Sequence, residues 1–355
     1  MQRLVVLLLV LAGTADLVRA EYDEDVFAKK TIPAYSIPTP TAGGASDTVI
    51  GEVRAYRIRK GDTLIDLARY YDLGWNEITD ANPGVDPWVP PVGATILLPT
   101  EWVLPCCTYH GLVVNIPEMR LFFYTRSPQD PHTTIVHTYP VGLGRDDWRT
   151  PSGTFKIRGK TVNPRWNIPE SIRKEHIAER DDPRTFIEGG DPENPLGKYR
   201  LELTLPMYGI HGTDIPWGVG MQVSHGCVRL YPEDIERLFP TVPVGTPGEF
   251  VYQPVKAGMK AGAAYVESHR DIYGYAPALY REATAAVGRA GIGARVDQRL
   301  LVEALEDGSG MPIRVTPDPS APQLVPAGAA VPAEPPSEAD RDGVPHKDDG
   351  QAGDD

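Results

Sequence analysis

The chain has 355 residues, 41% of them hydrophobic, and a formal charge of −13 at pH 7. That acidity argues against nucleic acid as a partner, and nine acids against three bases after residue 310 supply −6 of it, so the folded part is only mildly acidic. The length gives material for two or three compact units plus linkers, so several cores are expected rather than one.

Residues 1–20 read as a cleavable secretory signal, with Arg3, an apolar run from Leu4 to Ala12, and Val18 and Ala20 before the cut. The run is about half of the roughly 20 residues that cross a bilayer, so no transmembrane segment is expected in a mature chain starting at Glu21. Residues 21–52, with Pro33, Pro38, Pro40 and Gly43-Gly44, read as a linker that tethers the folded units to the signal site. Over 53–100 the pattern is strand, helix, helix, strand. Val53, Ala55, Tyr56 and Ile58 open it, Leu64 to Ala68 and Trp75 to Ala81 form the helices, and Thr95 to Leu98 closes it.

From 109 to 253 short apolar runs recur with Gly, Pro and Asn punctuation. They are Leu112–Ile116, Leu121–Tyr124, Thr133–Val141, Gly153–Ile157, Arg200–Leu205 and Glu249–Tyr252, so this domain is mainly β. One helix is predicted at Tyr231–Phe239, with Pro232 in its first turn. Residues 254–310 turn to Ala, Gly and helical patterns, read as a small α-rich subdomain. Residues 311–355, with nine prolines and scattered acids, read as a disordered tail.

Three cysteines in an exported chain leave an odd thiol if two pair, and adjacent Cys106 and Cys107 bridge only through a strained ring. Cys227 lies in the densest chemical cluster, where His211, His225 and Cys227 fall within seventeen residues. A thiol nucleophile needs a base, oxyanion donors and backbone room. His211 is the candidate base, Gly212 keeps its surroundings open, and the amides of His225, Gly226 and Cys227 are candidate donors. Two other uses of these residues stay open at this level: a buried apolar cysteine beside core histidines, and a zinc site of His211, His225 and Cys227 that lacks a fourth ligand. The other histidines have no comparable setting.

Two resemblances narrow this. Tyr56-Arg-Ile-Arg-Lys-Gly-Asp-Thr-Leu64, Ile78-Thr-Asp-Ala-Asn-Pro83 and Ile96-Leu-Leu-Pro99 resemble the LysM module, whose members bind N-acetylglucosamine-containing glycans. His211-Gly-Thr213, followed by Ser224-His-Gly-Cys-Val-Arg-Leu230, resembles the signature of the YkuD-type L,D-transpeptidases. Val113-Val-Asn-Ile-Pro-Glu-Met-Arg-Leu121, Thr150-Pro-Ser-Gly-Thr154 and Asn194-Pro-Leu-Gly197 agree with it. Many relatives carry asparagine where this chain has Arg229, whereas the ErfK-type group commonly has arginine.

The resemblance implies a YkuD-type β-sandwich catalytic domain behind a βααβ LysM domain, in the periplasm, acting on peptidoglycan stem peptides and glycan strands with no cofactor or metal. By the same carry-over Cys227 attacks the stem tetrapeptide, His211 moves the proton, and the Gly212 carbonyl orients the imidazole. His225, Gly226 and Ser224 shape the oxyanion turn, and Arg229 meets a substrate carboxylate. An amine then opens the thioester, the favoured acceptor being a lysine of an outer-membrane protein. Stem-to-stem 3-3 cross-linking, hydrolysis as an L,D-carboxypeptidase and a non-catalytic wall-binding scaffold are the rival outcomes. A papain-like wall peptidase is disfavoured because it places cysteine before histidine.

Overall fold

Alternation along one hairpin sets the architecture. In the strands Gly111–Asn115 and Arg120–Arg126, Leu112, Val114, Leu121 and Phe123 enter one apolar cluster, while Val113, Phe122 and Tyr124 enter another. Successive side chains of a strand point to opposite faces, so apolar residues at every position require cover on both sides. The structure, a computed structural model, describes residues 24–40, 46–106 and 108–317. The signal at 1–20, Gly43-Gly44, Cys107 and the tail from Asp318 lie outside the described residues.

These strands sit within a nine-stranded mixed sheet. Its order is Tyr35–Pro38, Thr133–Pro140, Arg120–Arg126, Gly111–Asn115, Pro247–Val251, Gly153–Val162, Tyr199–Leu203, Gly209–His211 and Val228–Arg229. Pairing is parallel at two places, Gly111–Asn115 with Pro247–Val251 and Gly209–His211 with Val228–Arg229. The mainly β expectation holds, and each predicted strand of this region is present with shifted ends. The helix Pro232–Thr241 packs Ile235 and Leu238 into the first cluster. An unforeseen helix, Glu170–Arg180, lies between the strands Gly153–Val162 and Tyr199–Leu203.

The βααβ unit is observed as the strands Arg54–Arg57 and Thr95–Leu98 with helices Leu64–Tyr70 and Trp75–Asp80. Thr63 caps the first helix, its hydroxyl accepting from the Asp66 amide at 3.0 Å. This unit does not carry a core of its own. Ile58, Leu64, Leu67, Leu73, Ile78, Ile96 and Leu98 share one cluster with Val113, Phe122, Tyr124 and Val136 of the large sheet. About 45 residues bury too little surface alone, and the second face of the sheet supplies the rest.

Two expectations are corrected and one is extended. Residues 24–40 are not a tether: Glu24–Lys29 is helical, and Tyr35–Pro38 forms the edge strand against Thr133–Pro140. Phe27 and Ile37 are 3% and 5% exposed, and Lys30 is buried between Asp72 (2.5 Å) and Asp234 (3.0 Å). Single anchors at Phe27, Lys30 and Ile37 leave no periodicity to detect, and an edge strand accepts proline. The α-rich C-terminal subdomain carries a sheet as well: helices Leu279–Arg289 and Gln298–Asp307 pack on strands Val255–Lys260, Ala263–Ser268 and Ile313–Arg314. Its Ala- and Gly-rich strands are poor in the residues that mark β structure. The third strand and buried Val315 also move the start of the tail beyond residue 311. Cys106 is held in a disulfide, and the free thiol is Cys227.

Candidate active site

Register assembles the site. Arg200 pairs with His211, which pairs with Arg229, and two residues along Glu202 pairs with Gly209, so Cys227 is brought beside Gly209 just before the next strand. Leu201, Ile210 and Val228 of the same strands point into the core. The opposite face therefore carries Arg200, His211 and Arg229 in one lateral row and Cys227 in the neighbouring row, diagonal to His211. Diagonal neighbours about 7–8 Å apart at the backbone are within reach of long side chains.

His211 is 2% exposed. Its Nδ1 lies 2.7 Å from the Gly212 carbonyl oxygen, which only accepts, so Nδ1 carries the proton and Nε2 keeps its lone pair. Gly212 has no side chain to push Ile235 or Gly197 away: a Cβ there would sit 3.3 Å from Ile235 Cγ2 and 3.6 Å from Gly197 Cα. Gly197 itself adopts φ +64° at the end of the Asn194-Pro-Leu-Gly197 segment. Asn194 fixes that loop, donating through Nδ2 to the carbonyls of Pro164 and Glu188 at 2.9 Å. Burial first, then Arg229 and more weakly Arg200, push His211 down to about 3 despite the Gly212 bond. The imidazole is neutral at rest.

The Cys227 thiol donates to the Met207 carbonyl across 3.7 Å. Burial pushes it up, opposed by Arg200, the Gly209 amide and Arg229. The thiol is protonated at rest and the His211 imidazole neutral. Ser224 organises the turn: its hydroxyl donates to the Cys227 carbonyl at 2.7 Å and accepts from the Gly226 amide at 3.1 Å. The Gly226 amide is thereby engaged, which departs from the expected three-amide set. The amides of His225 and Cys227 have no acceptor among the described residues.

His225 is turned to one side, with Nε2 2.8 Å from Glu175 Oε2 on the helix Glu170–Arg180 and 3.3 Å from Arg145. It does not converge with His211 and Cys227 on a common point. Among the described residues a different trio, Glu118, Glu267 and His269, lies close enough for a cation. The Lys256 ammonium already fills it, 2.7 Å from Glu118 and 2.8 Å from Glu267.

Several supports of the site lie outside the thiol motif itself. Thr150 is buried and donates to the Gly226 carbonyl at 3.0 Å, while its own amide donates to the Tyr273 hydroxyl at 3.2 Å. Tyr273 in turn donates to the Gly144 carbonyl at 2.7 Å, so the C-terminal subdomain braces the loop beneath the thiol turn. Tyr208 covers Gly226, whose φ is +99°. An alanine Cβ there would lie 2.7 Å from Tyr208 Cε1. Gly226→Ala is therefore expected to cost roughly 1–3 kcal/mol of stability and to slow acylation sharply. Thermal denaturation and intact-protein mass after donor addition test this, and wild-type values in both would show that the turn tolerates a side chain.

Comparison with known proteins agrees with these features. The family described as the L,D-transpeptidase catalytic domain (YkuD) matches residues 110–255, and the LysM domain matches residues 56–99. The chain is 35% identical over 299 residues to the probable L,D-transpeptidase YbiS of Escherichia coli (strain K12), covering 80% of this chain and 93% of that protein. It is 31% identical over 301 residues to the probable L,D-transpeptidase ErfK/SrfK of the same organism, covering 82% and 94%. To the probable L,D-transpeptidase YcfS the identity is 33% over 245 residues, covering 67% and 74%.

Proposed function

The chain belongs to the L,D-transpeptidase family, an acyltransferase family, and on that premise we propose that Cys227 is its nucleophile and His211 its base toward a peptidoglycan tetrapeptide stem. The observation that carries this is the His211 tautomer: with Nδ1–H given to the Gly212 carbonyl, Nε2 is the basic atom on the face that His211 shares with the thiol.

In the proposed cycle Cys227 Sγ bonds to the carbonyl carbon of the third stem residue while its proton passes to His211 Nε2. The oxyanion is held by the amides of His225 and Cys227, with Gly226 and Ser224 shaping the turn. Collapse breaks the C–N bond, and the departing D-alanine amine takes the proton from the imidazolium. An acceptor amine then attacks the thioester. Its proton returns through His211 to Sγ as the C–S bond breaks. Arg229 is proposed to meet a donor carboxylate. The steps call for no metal or organic cofactor.

We place the enzyme in the periplasm after cleavage of residues 1–20, with the LysM unit on glycan strands. Among the described residues no helix is long and apolar enough to cross a membrane. The shared core between the LysM unit and the large sheet supports a fixed distance between glycan and thiol, which raises the effective concentration of donor stems. By the ErfK-type resemblance the acceptor we propose is a lysine of an outer-membrane protein. Muropeptide analysis of a strain lacking the chain tests this. Loss of protein-linked stems is expected; loss of direct stem-to-stem cross-links with protein-linked stems unchanged would assign the acceptor to the wall instead.

A further inference from the structure

Among the described residues, the deeply buried cations outside the site are matched to carboxylates. Lys30 lies 2.5 Å from Asp72, Arg69 3.0 Å from Glu233, Arg120 2.7 Å from Glu77 and Lys256 2.7 Å from Glu118. The two arginines flanking His211 break this rule. Neither Arg200 nor Arg229 has an ion pair or a side-chain hydrogen bond among the described residues, and the Nε of each is buried without a partner.

The nearest acids act on the two guanidiniums through space without forming a direct ion pair with either. Glu202 accepts from Arg158 at 3.2 Å and from Thr161 at 3.0 Å. Asp214, whose Oδ1 is buried without a hydrogen bond, faces Arg229 through space, and each charge offsets part of the other's burial cost. In a chain with 48 acids against 35 bases, two guanidiniums on either flank of one histidine, neither in a direct ion pair, call for an explanation.

Backbone geometry shows where Arg200 lies. The position a Gly209 Cβ would occupy is 3.0 Å from Arg200 Nε and 3.5 Å from Nη2. The guanidinium thus lies over Gly209, the residue beside Cys227, and any larger residue at 209 would displace it. From its strand neighbour Arg229 approaches His211 on the other side, and Gly142, bridged to Arg229, adds no side chain above that end. Arg200, His211 and Arg229 thus form one lateral row, next to the row of Gly209 and Cys227.

We propose that Arg200 joins Arg229 in a two-guanidinium subsite that binds a free carboxylate within one residue of the scissile bond, making the enzyme select acidic over amidated donor stems. The proposal rests on the assignment of a tetrapeptide stem as donor and deepens it. Two carboxylates fit the chemistry, that of the terminal D-alanine and one on the side chain of the third stem residue. Both are planar acceptors matched to a guanidinium fork. A bound carboxylate also offsets the two positive charges that depress His211, so the imidazole gains basicity when the donor arrives.

The test uses the full mature chain and three synthetic tetrapeptide stems: the free acid, the terminal amide, and the third-residue side-chain amide. Acylation of Cys227 is followed by intact mass. For the wild type, amidation of the recognised carboxylate is expected to slow acylation about 10–100-fold. In Arg200→Gln the ratio of free acid to that amide is expected to fall toward one, with Arg200→Lys between the two. Because the ratio compares donors on one enzyme, a changed thiol reactivity or a partial folding defect cancels from it.

Which amide shows the collapse identifies the carboxylate. A ratio that Arg200→Gln leaves unchanged for both amides would overturn the proposal. Failure of the wild type to be acylated by any of the three stems would instead overturn the donor assignment on which it rests.

Discussion

Replacing Cys227 with alanine is expected to abolish acyl-enzyme formation, and His211→Ala to slow it by about 10²–10⁴-fold, with both variants folded. The fold expectation comes from packing: both side chains lie on the face opposite the Leu201, Ile210 and Val228 core. The size of the His211 effect comes from the resting protonation state. Burial holds the thiol above its ordinary range, its proton is directed at the Met207 carbonyl, and His211 titrates at about 3. The pair does not rest as thiolate and imidazolium, so the proton must move during attack and the base cannot be bypassed. Alkylation of Cys227 by iodoacetamide should therefore be slow at neutral pH and climb into the alkaline range. A rate already at its maximum near about pH 6 would reveal a preformed ion pair instead. Turnover by Cys227→Ala at the wild-type rate would end the nucleophile assignment.

What the sequence discloses and what it hides divide along physical lines. Strands such as Thr133–Pro140 and helices such as Leu64–Tyr70 announce themselves through local periodicity. The thiol turn is legible because its chemistry is crowded into a few residues, Ser224 to Arg229. The supports of the site come from distant segments: Tyr273 in the C-terminal subdomain, Thr150 in the loop, Glu175 on an unforeseen helix. Thr150 falls in a segment that agrees with the signature, but nothing local in the sequence ties Tyr273 or Glu175 to Cys227. Arg200 reads in sequence only as the start of an apolar run, and its meaning appears once register sets it beside His211. The leader misleads for a related reason. Its order comes from partners, Asp72 and Asp234 for Lys30 and the Thr133–Pro140 edge for Tyr35–Pro38, rather than from its own pattern.

The same partners tie the βααβ unit and the large sheet into one cooperative body. Lys30 from the leader, Arg69 and Asp72 from the βααβ unit, and Glu233 and Asp234 from the helix Pro232–Thr241 meet in one buried charge cluster. Val103, on the segment between the two units, donates its amide to Glu267 at 2.5 Å and accepts from Lys256 at 2.6 Å. Each acid or base of these clusters satisfies a group on a different segment, so separating the segments would strand charges in the interior.

Arg120→Ala is expected to destabilise the protein by roughly 3–5 kcal/mol, the cost of stranding a buried charge. Arg120 belongs to the large sheet and is fully buried, yet its partners lie mostly in the βααβ unit. Its Nε and Nη2 donate to the two oxygens of Glu77 at 2.8 and 2.7 Å, and Nη2 also donates to the Asp72 carbonyl at 2.6 Å. The Trp102 ring lies 4.2 Å from the guanidinium, and its Nε1 donates to Glu77 at 2.8 Å. Alanine leaves Glu77 with the Gly74 amide and the Trp102 indole but no cation, in a site closed to water. The shift in melting temperature should be on the order of 10 °C for a unit of this size. Removing both charges together, as Arg120→Met with Glu77→Gln, should cost markedly less than the sum of the two single changes, because no unpaired charge remains. Denaturant unfolding of the four proteins measures the coupling. A loss under about 1 kcal/mol for Arg120→Ala, or additive single effects, would show that this pair does not hold the two units together.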